Sequence, residues 1–170
     1  METLWAPWRM AYIERGDPGS GEAECIFCAA AKPEGGRPDL LVHRTEQALC
    51  MLNRYPYNPG HLMVAPHRHG GRLTELEAPE LLAVMEELKL ATLVLESELG
   101  CEGLNGGWNQ GRAAGAGIEA HLHFHLVPRW TGDTNFMPIL ADVKVVPEHL
   151  EATAVKLREA FGRMGRRNHG

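Results

Sequence analysis

The segment His121-Leu122-His123-Phe124-His125-Leu126-Val127 constrains this chain more than any other. Side chains of an extended strand alternate between two faces. Leu122, Phe124 and Leu126 therefore share a face that must be buried, and His121, His123 and His125 share the opposite one. A single His there would be ordinary surface; three at strict alternation call for chemistry. Zinc chelation is one use, since imidazoles at i and i+2 often share an ion. Yet His121 and His125 stand roughly 13 Å apart on an extended strand at about 3.3 Å per residue. Zinc holds its nitrogens at about 2.0–2.1 Å, so one ion cannot take all three unless the strand bends. At least one imidazole is left over. A neutral imidazole, with an ordinary pKa of about 6.5, can attack phosphorus and form a labile phosphoramidate.

The stretch before this strand, Asn109-Gln110-Gly111-Arg112-Ala113-Ala114-Gly115-Ala116-Gly117-Ile118, is made of small residues whose backbone N–H groups can approach an anion. Alone it is a flexible turn. Joined to three His, it reads as a phosphate cradle.

The rest of the chain reads as one α+β unit. Residues 40–43, 48–53 and 61–65 are short apolar runs, the last two separated by the turn-rich Arg54-Tyr55-Pro56-Tyr57-Asn58-Pro59-Gly60. Residues 104–109 suggest a strand weakened by Gly106 and Gly107. Residues 79–99 predict a long helix with Pro79 in its first turn, Gly100 as its stop, and Leu81, Met85, Leu88, Thr92, Leu95 and Leu99 on one stripe. Pro147 opens a second helix with Leu150, Ala154, Leu157, Phe161 and Met164 inward, Glu148 near its start and Arg163, Arg166 and Arg167 at its end. No repeat or linker divides the 170 residues, so residues 1–170 are expected to form a single domain.

Composition removes several classes. With 17 Lys and Arg against 22 Asp and Glu, the formal charge of -5 argues against a general nucleic-acid polymer binder. No apolar run approaches about 18 residues, so no membrane helix is expected. The first residues lack the pattern of a signal peptide. Free thiols or a metal site are therefore expected for the four cysteines, Cys25, Cys28, Cys50 and Cys101, and the cytoplasm is the expected location. Cys50 and Cys101 read as core residues. Trp5, Trp8 and Trp130 read as packing or base-stacking residues, and His43, His149 and His169 as surface or structural ones. Arg129 and Asp133 read equally well as a phosphate-closing pair or a surface ion pair.

These motifs resemble the histidine triad (HIT) superfamily of nucleotide hydrolases and transferases. The triad stands complete at His121 to Val127. Asn53 and Pro59-Gly60-His61-Leu62-Met63-Val64-Ala65-Pro66 form a second element, and Asn109-x-Gly111 a third. The core of the resemblance spans about residues 40–130. Leu4-Trp5-Ala6-Pro7-Trp8-Arg9-Met10, Tyr55 to His61, and Pro128-Arg129-Trp130-x-Gly132-Asp133-x-Asn135-Phe136 are similar to the branch containing bacterial diadenosine tetraphosphate (Ap4A) phosphorylases. The resemblance implies a five-stranded antiparallel sheet with two main helices, usually in a homodimer. It implies that His123 is the nucleophile on the α-phosphorus, that His125 and Asn109 contact phosphate, and that His61 and His121 orient and move protons. Asn53 would line the sugar or base site, and Gly111, Gly115, Gly117 and Ile118 would hold the oxyanion.

The chain departs from the pattern in two places. Asn109 lies twelve residues before His121, and strict counting puts Gln110 in its place. Where many relatives carry Ser or Gln ahead of the triad, Gly117 and Ile118 stand, so backbone donors must serve or the acceptor differs. In several bacterial members of the superfamily a Cys pair joins two His to bind zinc. The matching residues are Cys25, Cys28, His69 and His121, with His67 a decoy two residues away. A structural zinc is thus implied by the wider superfamily, though not by the phosphorylase-like branch; the alternative is a pair of buried free thiols. No organic cofactor is expected.

The reading that follows is an enzyme cleaving a dinucleoside polyphosphate through a nucleotidyl-His123 intermediate, with water or phosphate as acceptor. Its alternatives are a nucleoside phosphoramidate hydrolase, a nucleotide sensor with little turnover, and a metallohydrolase. The last is disfavoured because Glu119 is the only acidic residue in 104–130.

Overall fold

The apolar runs flanking the Tyr55–Gly60 turn pair with one another, and the sheet grows from them. The computed structural model describes residues 25–32, 40–133 and 149–167. Among these, β1 (Leu41–Arg44), β2 (Ala48–Leu52), β3 (Leu62–Pro66), β4 (Gly103–Trp108) and β5 (Phe124–Arg129) form one antiparallel sheet. Its order is β1-β2-β3-β5-β4. Every residue of β2 and β3 is buried. Burial without alternation means that both sheet faces are covered. Three helices provide the cover: α1 (Ile26–Ala31), α2 (Ala78–Leu99) and α3 (Leu150–Arg167). α2 packs on β2 and β3, α3 on β1 and α2, and α1 on β2. No helix among the described residues is long and apolar enough to cross a membrane.

The His strand starts later than its alternation suggests. β5 begins at Phe124, opposite Val64, and His121 to His123 precede the ladder. Continued pairing would bring Leu122 opposite Pro66, which has no N–H to give. The Leu122 N–H instead donates to the Gly70 carbonyl at 2.7 Å. The chain therefore leaves the sheet at the triad, and this bend lets neighbouring imidazoles serve separate ends of the site.

Helix α2 has the expected ends. Pro79 lies in its first turn, and Gly100 adopts φ 58° to terminate it. Its buried stripe differs from the expected one. Val84, Glu87, Ala91, Val94 and Leu95 are buried, whereas Leu81 and Met85 are 38% and 42% exposed. Leu88 and Leu99 are half-buried against the core. The true inner face is rotated by roughly 90° from the leucine stripe, at 3.6 residues per turn. Close contact with sheet and α3 favours small and branched residues over leucine. The buried Glu87 also hid the pattern. Its carboxylate is satisfied by His43 on β1, whose Nδ1 lies 2.9 Å from both oxygens, and the His43 ring stacks on Phe161 of α3. His43 is thus a structural tie. Glu87 also helps raise the pKa of the buried Cys50 thiol, after the larger effect of burial itself. Cys101, expected in the core, is only half-buried.

α3 buries Ala154, Leu157 and Phe161 as expected, with Thr153 and Ala160 beside them and Leu150 and Met164 at the margin. Pro147, Glu148, Trp5, Trp8 and His169 lie outside the described residues. Gly60 closes the turn ahead of His61 at φ +76°, and a Cβ there would come within 2.3 Å of Leu99 Cδ1 on α2. Only glycine meets both the conformation and the close approach.

Candidate active site and metal cluster

Each imidazole in the His row uses one ring nitrogen for support, and the partner identifies the tautomer. His123 is almost fully buried, and its Nδ1–H donates to the His121 carbonyl at 2.8 Å. Nε2 of neutral His123 is then an unprotonated lone pair. His121, fully buried, donates its Nε2–H to the Pro66 carbonyl at 2.9 Å, which leaves Nδ1 as its lone pair. His61, also fully buried, accepts the Tyr57 N–H on Nδ1 at 3.0 Å, so its proton sits on Nε2. That Nε2–H points at His125 Nδ1, 3.0 Å away. His125 therefore carries its own proton on Nε2 and presents it as a donor. The His123 and His125 rings meet edge-on, centroids 5.0 Å apart.

Burial keeps these rings neutral. It pushes the His123 pKa below the ordinary value against an opposing hydrogen bond to the His121 backbone. His125 falls to about 4, through burial and then the proximity of His123. His121 also falls to about 4, burial again being the largest cause. Neutral imidazole is the form that attacks phosphorus or binds a metal. Phe27 of α1 packs on the His121 and His123 rings, centroids 5.0 Å from each.

The Gly-rich segment folds as a tight loop. Gly111 (φ 81°) and Gly115 (φ 79°) bracket a 3₁₀ turn at Arg112–Ala114. Ala114 and Ala116 donate back to the Gly111 carbonyl, whereas the N–H groups of Gly117 and Ile118 have no acceptor among the described residues. Gln110 is committed elsewhere: its Oε1 accepts the Leu73 N–H at 3.0 Å. The Asn109 side chain makes no such hydrogen bond among the described residues. Asn53 sits beside His61. Its Oδ1 accepts the Tyr55 N–H at 2.9 Å and its Nδ2 lies 3.5 Å from His61 Nδ1. Arg129 is not available to a phosphate, since its guanidinium grips both Asp133 oxygens and the Asn105 side chain. Trp130 donates its ring N–H to the Gly100 carbonyl.

Cys25, Cys28, His69 and His121 come together as a cluster that can hold a metal ion. Their ligand atoms all lie within 4.8 Å of one another. A thiolate and an imidazole at usual zinc distances sit about 3.6 Å apart on a tetrahedron. Here His121 Nδ1 is 3.4 Å from Cys25 Sγ and 3.6 Å from Cys28 Sγ, and His69 Nδ1 is 3.2 Å from Cys28 Sγ. The donor set therefore fits zinc, and the His121 tautomer offers it the correct nitrogen. His67 stays out of the cluster. Its Nε2 is buried without a hydrogen-bond partner among the described residues, and burial lowers its pKa. Two contributors escaped the sequence reading: Tyr57, whose ring stacks on His61 at 4.8 Å, and Phe27. An aromatic residue inside a turn carries no signal that it will roof a histidine.

A sheet that gathers a triad, a fourth histidine and a Gly-rich loop at one end defines a histidine triad protein. The HIT domain model matches residues 34–132, and the chain belongs to that family. An AP-4-A phosphorylase from Mycobacterium tuberculosis is 36% identical over 170 residues, covering 96% of this chain and 86% of that protein. Among solved structures, a Zn-bound histidine triad family protein from Mycobacterium smegmatis has the same fold. It superposes with a TM-score of 0.68 at 24% identity, over 86% of this chain and 99% of the other. A hypothetical histidine triad nucleotide-binding protein from Sulfolobus tokodaii gives 0.67 at 28% identity, over 84% and 95%.

The depressed pKa of His125 makes a signed prediction. Between its ordinary value of 6.5 and about 4, an unfolded chain takes up a proton that the folded chain refuses. The stability so contributed is complete above pH 6.5 and is lost as pH falls toward 4. Urea unfolding should show a midpoint that declines across this window, and the decline should be smaller in His125→Asn. Equal declines in the two proteins would refute the assignment.

Proposed function

We propose that this chain cleaves a dinucleoside polyphosphate of the Ap4A type at an α-phosphorus, through a nucleotidyl-His123 intermediate. The observation that carries the reading is the His123 tautomer. Its Nδ1–H is spent on the His121 carbonyl at 2.8 Å, which leaves Nε2 as a buried, neutral nucleophile. Nε2 attacks the α-phosphorus in line, the P–N bond forms, and the bond to the bridging oxygen breaks. The departing nucleotide leaves with that oxygen and its electron pair. Asn109, the His125 Nε2–H and the open N–H groups of Gly117 and Ile118 are the donors for charge that develops on the phosphoryl oxygens. Asn53 lines the nucleoside side, and Gly111 and Gly115 give the loop its shape. Water or inorganic phosphate then attacks the same phosphorus, the P–N bond breaks, and His123 is regenerated. Phosphate as acceptor yields ADP and ATP from Ap4A; water yields AMP and ATP. The mycobacterial relative, named as an AP-4-A phosphorylase, supports both substrate and acceptor.

The Cys25, Cys28, His69 and His121 cluster is the zinc site of this reading. Four protein ligands leave no open position, so its role is structural. It ties α1, and with it Phe27, to the bend before β5, while His123 and His125 stay free for chemistry. Two copies of the single domain spanning 1–170 form the working unit. Leu82 and Met85 on α2 and Trp108 on the edge strand β4 expose apolar surface, and β4 pairs on one side only among the described residues. Such surface and such an edge are ordinarily covered. None of the described cysteines forms a disulfide, which suits the cytoplasm.

Three measurements test these statements. With Ap4A as substrate, ADP should appear only when phosphate is supplied, and His123→Ala should lower turnover by about 10³-fold or more; full turnover by the variant ends the mechanism. Purified protein should contain one zinc per chain, and Cys28→Ser should lose it together with thermal stability. Full metal content in that variant would reject the ligand set. Sedimentation should give twice the mass of one chain, and Met85→Asp should shift it toward the monomer; a monomeric wild type would reject the pair.

A further inference from the structure

The turn that carries Tyr57 is held from the far end of β5. Asp133 lies four residues beyond Arg129, the last residue of that strand. Its two oxygens take a bidentate grip from Arg129, at 2.6 and 2.8 Å. The Oδ2 atom also accepts the Asn58 side-chain N–H at 2.8 Å and the Trp130 N–H at 3.2 Å. The same Asn58 amide donates to the Pro128 carbonyl at 3.0 Å. Asn58 in turn accepts the His61 N–H on its own carbonyl at 3.1 Å. Next to it, the Tyr57 N–H reaches His61 Nδ1. Arg129 is steadied by Asn105 on β4, so the grip is anchored in two strands. Hydrogen bonds from Arg129 hold the Asp133 carboxyl well below the usual carboxylate range, so the acceptor is ionised throughout the working pH range.

We infer that Asp133 and Asn58 are positioning residues that aim the Tyr57 N–H at His61 Nδ1 and so set the proton order of the His61–His125 pair. This rests on the catalytic reading of His125 given above, and it adds two residues that touch no substrate. The logic is geometric. With the Tyr57 N–H in place, His61 can carry its proton only on Nε2. That proton then occupies His125 Nδ1, and His125 can only donate from Nε2. If the Asn58 grip is lost, the turn carries Tyr57 away and His61 Nδ1 is free to take the proton. His61 Nε2 would then face His125 Nδ1 as a second acceptor, and the donor from His125 would no longer be fixed. A carboxylate at 133 is needed because one oxygen serves Asn58, Trp130 and Arg129 together. An amide offers only one acceptor oxygen and would turn an NH2 donor toward the second Arg129 N–H.

The test uses full-length protein carrying Asp133→Asn or Asn58→Ala, with Glu98→Gln in the Arg163–Glu98 pair, which shares no hydrogen bond with Asp133 or Asn58, as control. Three quantities are read: amide exchange at Tyr57 and His61, the ring-nitrogen shifts that report tautomers of His61 and His125, and turnover of Ap4A. In wild type, both rings should show the proton on Nε2. In either variant, Tyr57 protection should be lost, both rings should show mixed tautomers, and kcat should fall about 10–100-fold with KM changed less than threefold. The control should match wild type in all three. Retained Tyr57 protection in both variants overturns the inference, as does lost protection with unchanged tautomers or unchanged kcat. If wild type itself turns over no dinucleoside polyphosphate, the proposed function falls. The two spectroscopic readouts then decide for or against the positioning role without it.

Discussion

An imidazole carries one proton too many or one too few for most buried places, and this protein is organised around that constraint. Neutral imidazole has one N–H to donate and one lone pair to present. Two rings of the triad have their N–H spent on a fixed partner: the Pro66 carbonyl for His121 and the His121 carbonyl for His123. His125 is fixed from the other direction, by receiving a proton from His61. Desolvation keeps all three neutral. The direction of each lone pair is therefore decided by backbone groups and a neighbouring ring, and the chemistry follows from it. The His121 lone pair faces two thiols, and that of His123 is left for an electrophile.

The bend before β5 makes this division workable. In a straight strand, residues two apart on one face sit side by side, and neighbouring rings compete for one environment. Pro66 cannot continue the ladder, and Leu122 turns to Gly70 instead. His121 then belongs to the cluster with Cys25, Cys28 and His69, while His125 belongs to the pair with His61. Phe27 lies between these worlds and touches both His121 and His123. The short helix α1 thus joins the Cys/His cluster to His123 by packing alone.

Helix α2 shows where reading from the sequence stops. A leucine-rich stripe is visible at 81, 85, 88, 95 and 99, yet the inner face is centred on Val84, Glu87 and Ala91. Leucines outnumber what the core can accept, and a buried glutamate looks polar until its partner is known. That partner, His43, is 44 residues away in sequence. The same limit applies to Asp133. As a sequence it is an acidic residue four positions from an arginine; in space it holds a turn 75 residues earlier. Counting along the chain does not separate Asn109 from Gln110, and in space only Gln110 is tied to another segment, by one hydrogen bond from Leu73.

The sequence by itself determined the short apolar strands, the two long helices, the turn ahead of His61 and the residue types of both sites, because these depend on neighbours within a few positions. Period-2 and period-3.6 patterns are local, and a proline or glycine ends an element wherever it stands. Tertiary structure alone decided which nitrogen of each histidine is free, which face of α2 is inner, and which loops lean on one another. Those outcomes depend on hydrogen bonds and packing between segments distant in the chain. A ring flips its chemistry according to a single carbonyl that folding delivers.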